Sequence, residues 1–422
     1  MDESRQVLGV APNEMSAAGP AGPTPTIAML FDGGEMFGLP HAVLNLLDPM
    51  DRTGLRLAGL FLGPGVGYDA LASCFTQAHQ FGVGPLFPLR RAGKPKYDPI
   101  YLGGRLRCAV RSLRATAAWA RAQPPAILHA HSYGMAWLGW RATRNLPVRR
   151  VFHAHGPYPY SGRKSRRFIR FVRRAIHRVL AISRFVADTY PAELRDRVRV
   201  LHNGVPVQKL RAAAAPGEFR ARYGVAPDQP LIGVFGAIVP RKGQTYFVEA
   251  AARVAQKHPA ARFALVGGTT DAFEQMGVLR ELGALIGRLG LADRVIQTGF
   301  VQGATRWMVD FDITVMPTVP IPTQIGEGFG LVLAEAMAQG VASIATTCGA
   351  PPEIIDDGVT GLLVPPRDAG KLADAMLALL DDPARRARVA RAGAASIAAR
   401  YDAPLAAARL RSAYEELLSR PA

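Results

Sequence analysis

Two glutamates eight positions apart, Glu327 and Glu335, belong to the stretch Gly326-Glu327-Gly328-Phe329-Gly330-Leu331-Val332-Leu333-Ala334-Glu335. A carboxylate accepts hydrogen bonds from adjacent hydroxyls, and a glycine-rich turn that opens a helix aims unpaired backbone N–H groups at an anion. The stretch offers both chemistries at once. Taken singly, each glutamate has a plainer explanation. Glu327 would be a helix-start carboxylate favoured by the dipole, and Glu335 a surface residue in mid-helix. A second candidate is Gly236-Ala237-Ile238-Val239-Pro240-Arg241-Lys242-Gly243, which follows a strand-like run and ends where a helix begins. Arg241 and Lys242 there would meet a diphosphate with both their charges and the helix amides. The order of residues is not that of a Walker loop, so an ordinary basic loop is the competing explanation.

Imidazoles form the third group. His129-Ala130-His131 and His153-Ala154-His155 each end a strand-like run, and residues i and i+2 of a strand share a face. Four imidazoles so placed raise zinc as an option. The sequence shows no cysteine or supporting partner for such a site, so no metal is assigned. Asp310-Phe311-Asp312 has the form of a metal-binding DxD but precedes its strand, away from the ligand loops, and is read as structural. Gly33 and Gly34 close the first strand and would let a ligand approach the backbone, although such turns are often merely tight.

These groups need a frame. Apolar runs alternate with helical segments along the whole chain, which predicts parallel α/β structure. In the first half strands are expected at 26–32, 55–62, 126–130, 150–154, 179–182 and 198–201, with helices at 39–47, 68–81, 103–121 and 135–144. In the second half strands are expected at 231–235, 262–266, 295–298, 313–316, 341–345 and 361–364, with helices at 245–257 and 273–289. With 422 residues there is material for two full cores. The fold class is therefore α/β, with two Rossmann-like doubly wound domains facing across a cleft. Residues 1–25 read as a mobile tail, 26–205 as the first domain, 206–229 as a polar, alanine-rich linker and 230–400 as the second domain. Residues 401–422 read as a terminal helix, with a return to the first domain as one option.

Charge is uneven. Residues 1–203 carry 28 Lys+Arg against 12 Asp+Glu, and the remainder carries 23 against 21. From 99 to 187 there is no acidic residue at all. A one-signed half on an otherwise balanced chain points to an anionic partner for that half. Within it, Arg163, Arg167, Arg170, Arg174 and Arg178 recur at helical spacing, as do Phe168, Val172, Ala175 and Val179. This is either a solvated helix packing one face on the core or a contact for an anionic membrane or lipid diphosphate. Nucleic acid is disfavoured because no recognition helix, RNA signature or aromatic-basic interleaving is present. No apolar run reaches the ~20 residues of a membrane helix. The three scattered cysteines, with no metal-ligand spacing, read as reduced thiols of a cytoplasmic protein.

The combination Glu327-x7-Glu335 with Phe329-Gly330 between, the downstream run Pro352 to Pro366, Lys242-Gly243 and His202-Asn203-Gly204-Val205 resembles the retaining glycosyltransferases of family 4, which have the GT-B fold. The likeness is strong from 230 to 367 and looser before. It implies a nucleotide-sugar donor, UDP- or GDP-linked, bound by the second domain, and a sugar or lipid-linked acceptor bound by the first. It also implies hexose transfer in cell-surface polysaccharide or glycolipid synthesis, with no cofactor. A small soluble acceptor is the alternative. The protein is expected in the cytoplasm, with a peripheral position on the inner membrane face left open.

Residue by residue, the resemblance gives Glu335 the ribose hydroxyls, Glu327 the transferred sugar and Lys242 the diphosphate. Gly236, Arg241 and Gly243 accompany Lys242, and Phe329, Gly330 and Leu331 add backbone amides. Phe300 and Val301 would border the base. His155 would lie near the transferred sugar, with His131, Gly33 and Gly34 on the acceptor side, to which the charge pattern adds Arg163, Arg167 and Arg170. Ala237 stands where the family commonly has arginine, so phosphate neutralisation would rest on Lys242 with Arg241 substituting.

Overall fold

The computed structural model describes residues 24–33, 38–83, 99–159, 161–269, 277–322 and 324–419. Short apolar runs form most of its named strands, and every pairing between them is parallel. The first sheet uses β1 (Thr26–Phe31), β2 (Arg56–Phe61), β3 (Gln77–Gln80), β4 (Ile127–Ala130), β5 (Arg149–Ala154), β6 (Arg178–Ala181) and β7 (Val198–Val200) in the order β3-β2-β1-β4-β5-β6-β7. The second uses β8 (Leu231–Phe235), β9 (Arg262–Val266), β10 (Val295–Gly299), β11 (Ile313–Met316), β12 (Ala342–Thr346) and β13 (Leu362–Val364) in the order β10-β9-β8-β11-β12-β13. In each sheet the chain winds outward from its first strand, then returns to that strand's other side. The reversal falls between β1 and β4 in one sheet and between β8 and β11 in the other. Crevices at the carboxyl ends of such strands are where doubly wound sheets take ligands. The loops leaving β8 and β11 contain Lys242 and Glu327, and those leaving β1 and β4 contain Gly33 and His131.

Two expectations of regular structure need correction. Residues 68–81 are not one helix: a helix covers Val66–Leu71, a 3-10 turn Ala72–Cys74, and β3 follows. The edge strand Gln77-Ala-His-Gln80 is partly exposed and so carries no apolar run to announce it. The basic helix spans Gly162–Ala175 and stops short of Arg178 and Val179, which lie in β6.

Residues 206–229, the linker, are structured. They form helices Val207–Ala212 and Glu218–Tyr223, with Phe219 and Val225 buried against Trp307 and Phe311. The Asp310 carboxylate accepts backbone N–H groups from Gly217 and Phe219, and Asp312 accepts from Leu231 and pairs with Arg220 and Arg386. Both DxD carboxylates are thus occupied in holding this segment on the second domain.

The tail closes the molecule. Helix Pro383–Tyr401 packs on helix Leu331–Ala338 and on β12. At Asp402 the chain pairs with Val205, beside the point where it left the first domain. Helix Ala403–Ser419 then lies on Gly38–Leu47, burying Ala406, Ala407, Leu410, Tyr414 and Leu417 with Met29, Phe31, Leu46 and Leu47. Burial contributes roughly 1.5–3 kcal/mol for each leucine. Across the cleft an apolar core continues from Phe168, Val172 and Ile182 to Phe329, Leu333 and Met337.

Candidate active site

The two loops of the second domain are built against each other. After β8 the chain turns through Gly236 and a 3-10 turn, Pro240–Lys242, to Gly243. Gly243 has φ +69°, and a Cβ there would stand 1.9 Å from the Pro317 carbonyl oxygen. Only glycine allows this approach. It brings the Lys242 turn against the segment leaving β11, where Val319 N–H donates to the Arg241 carbonyl at 2.8 Å. Helix Gln244–Lys257 then begins, its Gln244 side chain donating to the Ala237 carbonyl.

From the other side comes the glycine-rich loop. Glu327 pairs with the turn after β12: its N–H reaches the Cys348 carbonyl and its carbonyl accepts from Ala350. Gly349, at φ +98°, passes so close that a Cβ would stand 2.4 Å from Glu327 backbone atoms. Gly330 then starts helix Leu331–Ala338, whose first amides lack intrahelical acceptors. Phe329 itself is buried, its ring packed between those of His202 and Tyr401.

Within this frame Lys242 Nζ lies 2.5 Å from Glu327 Oε2, Arg241 Nη1 3.5 Å from it and Thr318 Oγ1 3.4 Å from it. Burial alone would raise the Glu327 carboxyl, but Lys242, Arg241 and the hydrogen bonds together hold it below the usual range. Glu335 differs. It projects from helix Leu331–Ala338, which follows the loop, without a side-chain partner among the described residues, and burial pushes its carboxyl up to about 7. One glutamate is neutralised by cations and the other waits for donors. Phe300 and Val301 follow β10, the edge strand, and the Phe300 ring is 82% exposed beside Gly268.

The first domain presents the facing wall. A Cβ on Gly328 would stand 3.0 Å from the His155 carbonyl oxygen, which puts His155 directly against the glycine-rich loop. His131 is buried on the same sheet face, its Nδ1 3.1 Å from His155 Nε2 and its ring stacked on Phe31. Burial lowers His155 and His129 to about 3 and His131 and His153 well below the ordinary value, so all four imidazoles are uncharged near neutral pH. Gly33 ends β1 against Gly63. Gly34 lies outside the described residues. Arg163, Arg167 and Arg170 do not approach these groups through any hydrogen bond or ion pair among the described residues. They are exposed on the outer face of their helix, while Phe168, Val172 and Ala175 face the core. An open recess of about 540 Å³ lies on that outer face, lined by Arg166, Ile169, Arg170, Arg173, Arg174 and Glu193.

Several contributors escaped the sequence reading. Ser183 donates its hydroxyl to the Gly328 carbonyl at 2.6 Å, tying the loop to the first domain. Glu353 accepts the backbone N–H groups of Arg184 and Phe185 at 2.8 and 2.6 Å and lies 3.2 Å from His202 Nε2. Ser183 carried a usable signal, a hydroxyl residue between a strand and a helix start. Nothing in the sequence links Glu353 to a helix 168 positions away.

Comparison with known proteins follows the same division. The family model described as Glycosyl transferases group 1 matches residues 229–382, and that described as Glycosyltransferase Family 4 matches residues 73–209. An alpha-D-kanosaminyltransferase of Streptomyces kanamyceticus is 34% identical over 48% of this chain and 50% of its own length. A D-inositol 3-phosphate glycosyltransferase of Streptomyces avermitilis is 31% identical over 66% of this chain and 63% of its own. The chain thus spans between half and two thirds of these relatives. The crystal structure of Anabaena Alr3699/HepE in complex with UDP and glucose superposes with a TM-score of 0.76, at 21% identity, over 93% of this chain and 100% of that one. Two family models in tandem thus match the first domain as Glycosyltransferase Family 4 and the second as Glycosyl transferases group 1, and the likeness spanning both domains shows that the chain has the GT-B fold.

Proposed function

We propose that this protein transfers a hexose-type sugar from a nucleotide-sugar to an acceptor hydroxyl, with retention of anomeric configuration. The observation that carries the reading is the pairing of Lys242 with Glu327 at 2.5 Å, beside the start of helix Leu331–Ala338, on which Glu335 has no side-chain partner among the described residues. The donor diphosphate competes for Lys242 and Arg241 and takes the amides at Gly330 and Leu331. Glu327, displaced from its cations, turns to a hydroxyl of the transferred sugar. Glu335 accepts the two ribose hydroxyls, and Phe300 and Val301 border the base. His155 closes the opposite side of the sugar, supported by His131.

Transfer then proceeds through an oxocarbenium-like state in which negative charge grows on the leaving diphosphate. Lys242, Arg241 and the helix amides stabilise that charge. The departing phosphate takes the acceptor proton, and the sugar bonds to the acceptor oxygen on the face the diphosphate leaves. No metal clamp enters this scheme, and both DxD carboxylates are engaged in structural contacts. HepE, the structural neighbour seen with UDP and glucose, supports a UDP-linked donor, with GDP-linked sugars as the comparison.

The exposed basic face favours an acceptor or surface that carries phosphate, as in assembly of a cell-surface polysaccharide or glycolipid at the inner face of the membrane. Because the apolar residues of that helix are spent on the core, such contact would be electrostatic and would involve no insertion. The same burial favours the second reading, a small soluble acceptor. No helix among the described residues is long and apolar enough to cross a membrane.

The test is donor hydrolysis across UDP- and GDP-sugars, followed by product analysis with a sugar-phosphate and a free-sugar acceptor. An α-linked product from an α-linked donor is expected. An inverted product, or no turnover of any nucleotide-sugar, would overturn the reading.

A further inference from the structure

The first domain holds a polar cluster that the transfer scheme leaves largely unused. His129 and His131 from β4 and His153 from β5 are buried, and one ring nitrogen from each lies within 4.8 Å of the other two. The His129 ring stacks on those of His131 and His153 with centroids 4.5 and 5.3 Å apart, and the His131 and His153 rings lie 5.5 Å apart at a tilt. The strands cause this arrangement: adjacent parallel pairing with His129 beside Val151 puts both His-x-His pairs on one face. His129 Nδ1 is 2.6 Å from the Tyr414 hydroxyl, and His131 Nδ1 faces His155. That leaves His129 Nε2, His131 Nε2 and both nitrogens of His153 buried with no hydrogen-bond partner among the described residues. An unmade hydrogen bond of this kind is costly in a buried site, and a single ion would take one nitrogen from each of the three rings.

We propose that His129, His131 and His153 form a buried three-histidine site for a divalent transition metal of the zinc class. Imidazole nitrogen without thiolate or carboxylate suits zinc, with copper and nickel as competitors. Ligands on a tetrahedral zinc stand about 2.0–2.1 Å from the ion, so the rings must draw together slightly, a motion that rotation about their side-chain bonds supplies. The supporting partner that the sequence did not reveal is Tyr414, which fixes the His129 ring as outer partners of metal-bound histidines do. Tyr414 comes from the helix that returns to the first domain, so the ion would staple β4, β5 and that helix together. It lies in the domain opposite Lys242 and Glu327, which makes its role distinct from neutralising a diphosphate.

The experiment uses the full chain without a polyhistidine tag. Metal analysis after growth with zinc is expected to give about one zinc per chain. After chelation, Co²⁺ added alone is expected to produce the visible bands of a tetrahedral site and to raise the melting temperature by several degrees. His153→Ala should lose the bands. Tyr414→Phe keeps every ligand and guards against a misfolded alanine variant; it should weaken Co²⁺ binding by about tenfold or more. Folded wild-type protein that holds no stoichiometric metal and shows no cobalt bands, its imidazoles satisfied by water, would overturn the proposal. So would His153→Ala binding Co²⁺ as wild type does.

Discussion

The two domains share one topology and differ in how their sites are made. In the second, the ligand groups come from two continuous loops leaving neighbouring strands, and opposite charges already meet there, Lys242 against Glu327. In the first, the groups are uncharged imidazoles at strand ends, and the charge is spread on an outer helix face away from them. A site for a diphosphate must supply charge without leaving cations unbalanced when empty, and an internal carboxylate does that. A site for a hydroxyl acceptor needs position rather than charge.

The sharpest way to break this contrast is to remove the cation at its centre. Lys242→Ala leaves the Glu327 carboxylate with Arg241 and Thr318 and, in the proposed scheme, removes the main stabilisation of the leaving diphosphate. A fall in kcat of about 10²–10³ is expected, the size seen when one preorganised donor is lost. Arg241, at 3.5 Å from Glu327 and more exposed, should cost less on replacement by alanine. Steady-state rates at saturating donor decide it, and wild-type turnover in Lys242→Ala would remove the lysine from its assigned place.

Between the domains, Glu353 is the next point of leverage. Its carboxylate accepts two backbone N–H groups of the opposite domain and is held below the usual range: burial raises it, and the His202, Phe185 and Arg184 hydrogen bonds more than offset that. Glu353→Ala strands those donors and should lower stability by about 1–3 kcal/mol. Denaturant unfolding reads this. An unchanged midpoint would mean the contact contributes nothing to the closed arrangement.

Glu335 tests the second domain by pH. Its carboxyl lies near 7 in the folded protein against an ordinary value of 4.5. A carboxyl raised by burial favours the folded state at low pH, and that advantage is lost as pH rises through 7. The loss amounts to about 2 kcal/mol once partial exposure is discounted, and Glu335→Gln should flatten that slope. Ribose hydroxyls need the ionised form, so nucleotide affinity should tighten by about tenfold from pH 6 to pH 8, the span of a single titration centred at 7. Titration of UDP against wild type and Glu335→Gln reads both effects. A pH-independent wild-type affinity would remove the ribose role.

Legibility followed the same division between the domains. β8, β9 and β11 begin and end where their apolar runs do, and the Gly326–Glu335 and Gly236–Gly243 stretches stand out because contiguous residues make them. The ion pair of Lys242 with Glu327 bridges 85 positions and could not be read. Nor could the link of His129 to Tyr414 across 285 positions, since Tyr414 looks like any aromatic on an apolar helix face. β3 was hidden by its polar edge position. The linker at 206–229 shows its polar, alanine-rich composition in sequence but not its docking, which depends on Asp310, far along the chain.

The smallest expected effect concerns the basic face of the first domain, and it decides what the uneven charge is for. Phe168 and Val172 are buried, so the helix Gly162–Ala175 cannot give its apolar side to a bilayer without leaving the core. What remains for a surface is the outward cationic face of that helix, to which Arg163, Arg167 and Arg170 belong. Attraction of exposed arginines to anionic lipid is worth about 1 kcal/mol each close to the surface and is screened by salt within about 10 Å at 0.1 M. Reversal of all three to glutamate should therefore reduce co-sedimentation with phosphatidylglycerol vesicles severalfold at low salt, leave the melting temperature nearly unchanged, and spare transfer to a soluble acceptor. Wild-type binding that ignores salt would assign the contact to something other than these charges. No binding by wild type at low salt would remove the membrane from the first domain's role and leave the small soluble acceptor as the better match to the buried apolar face.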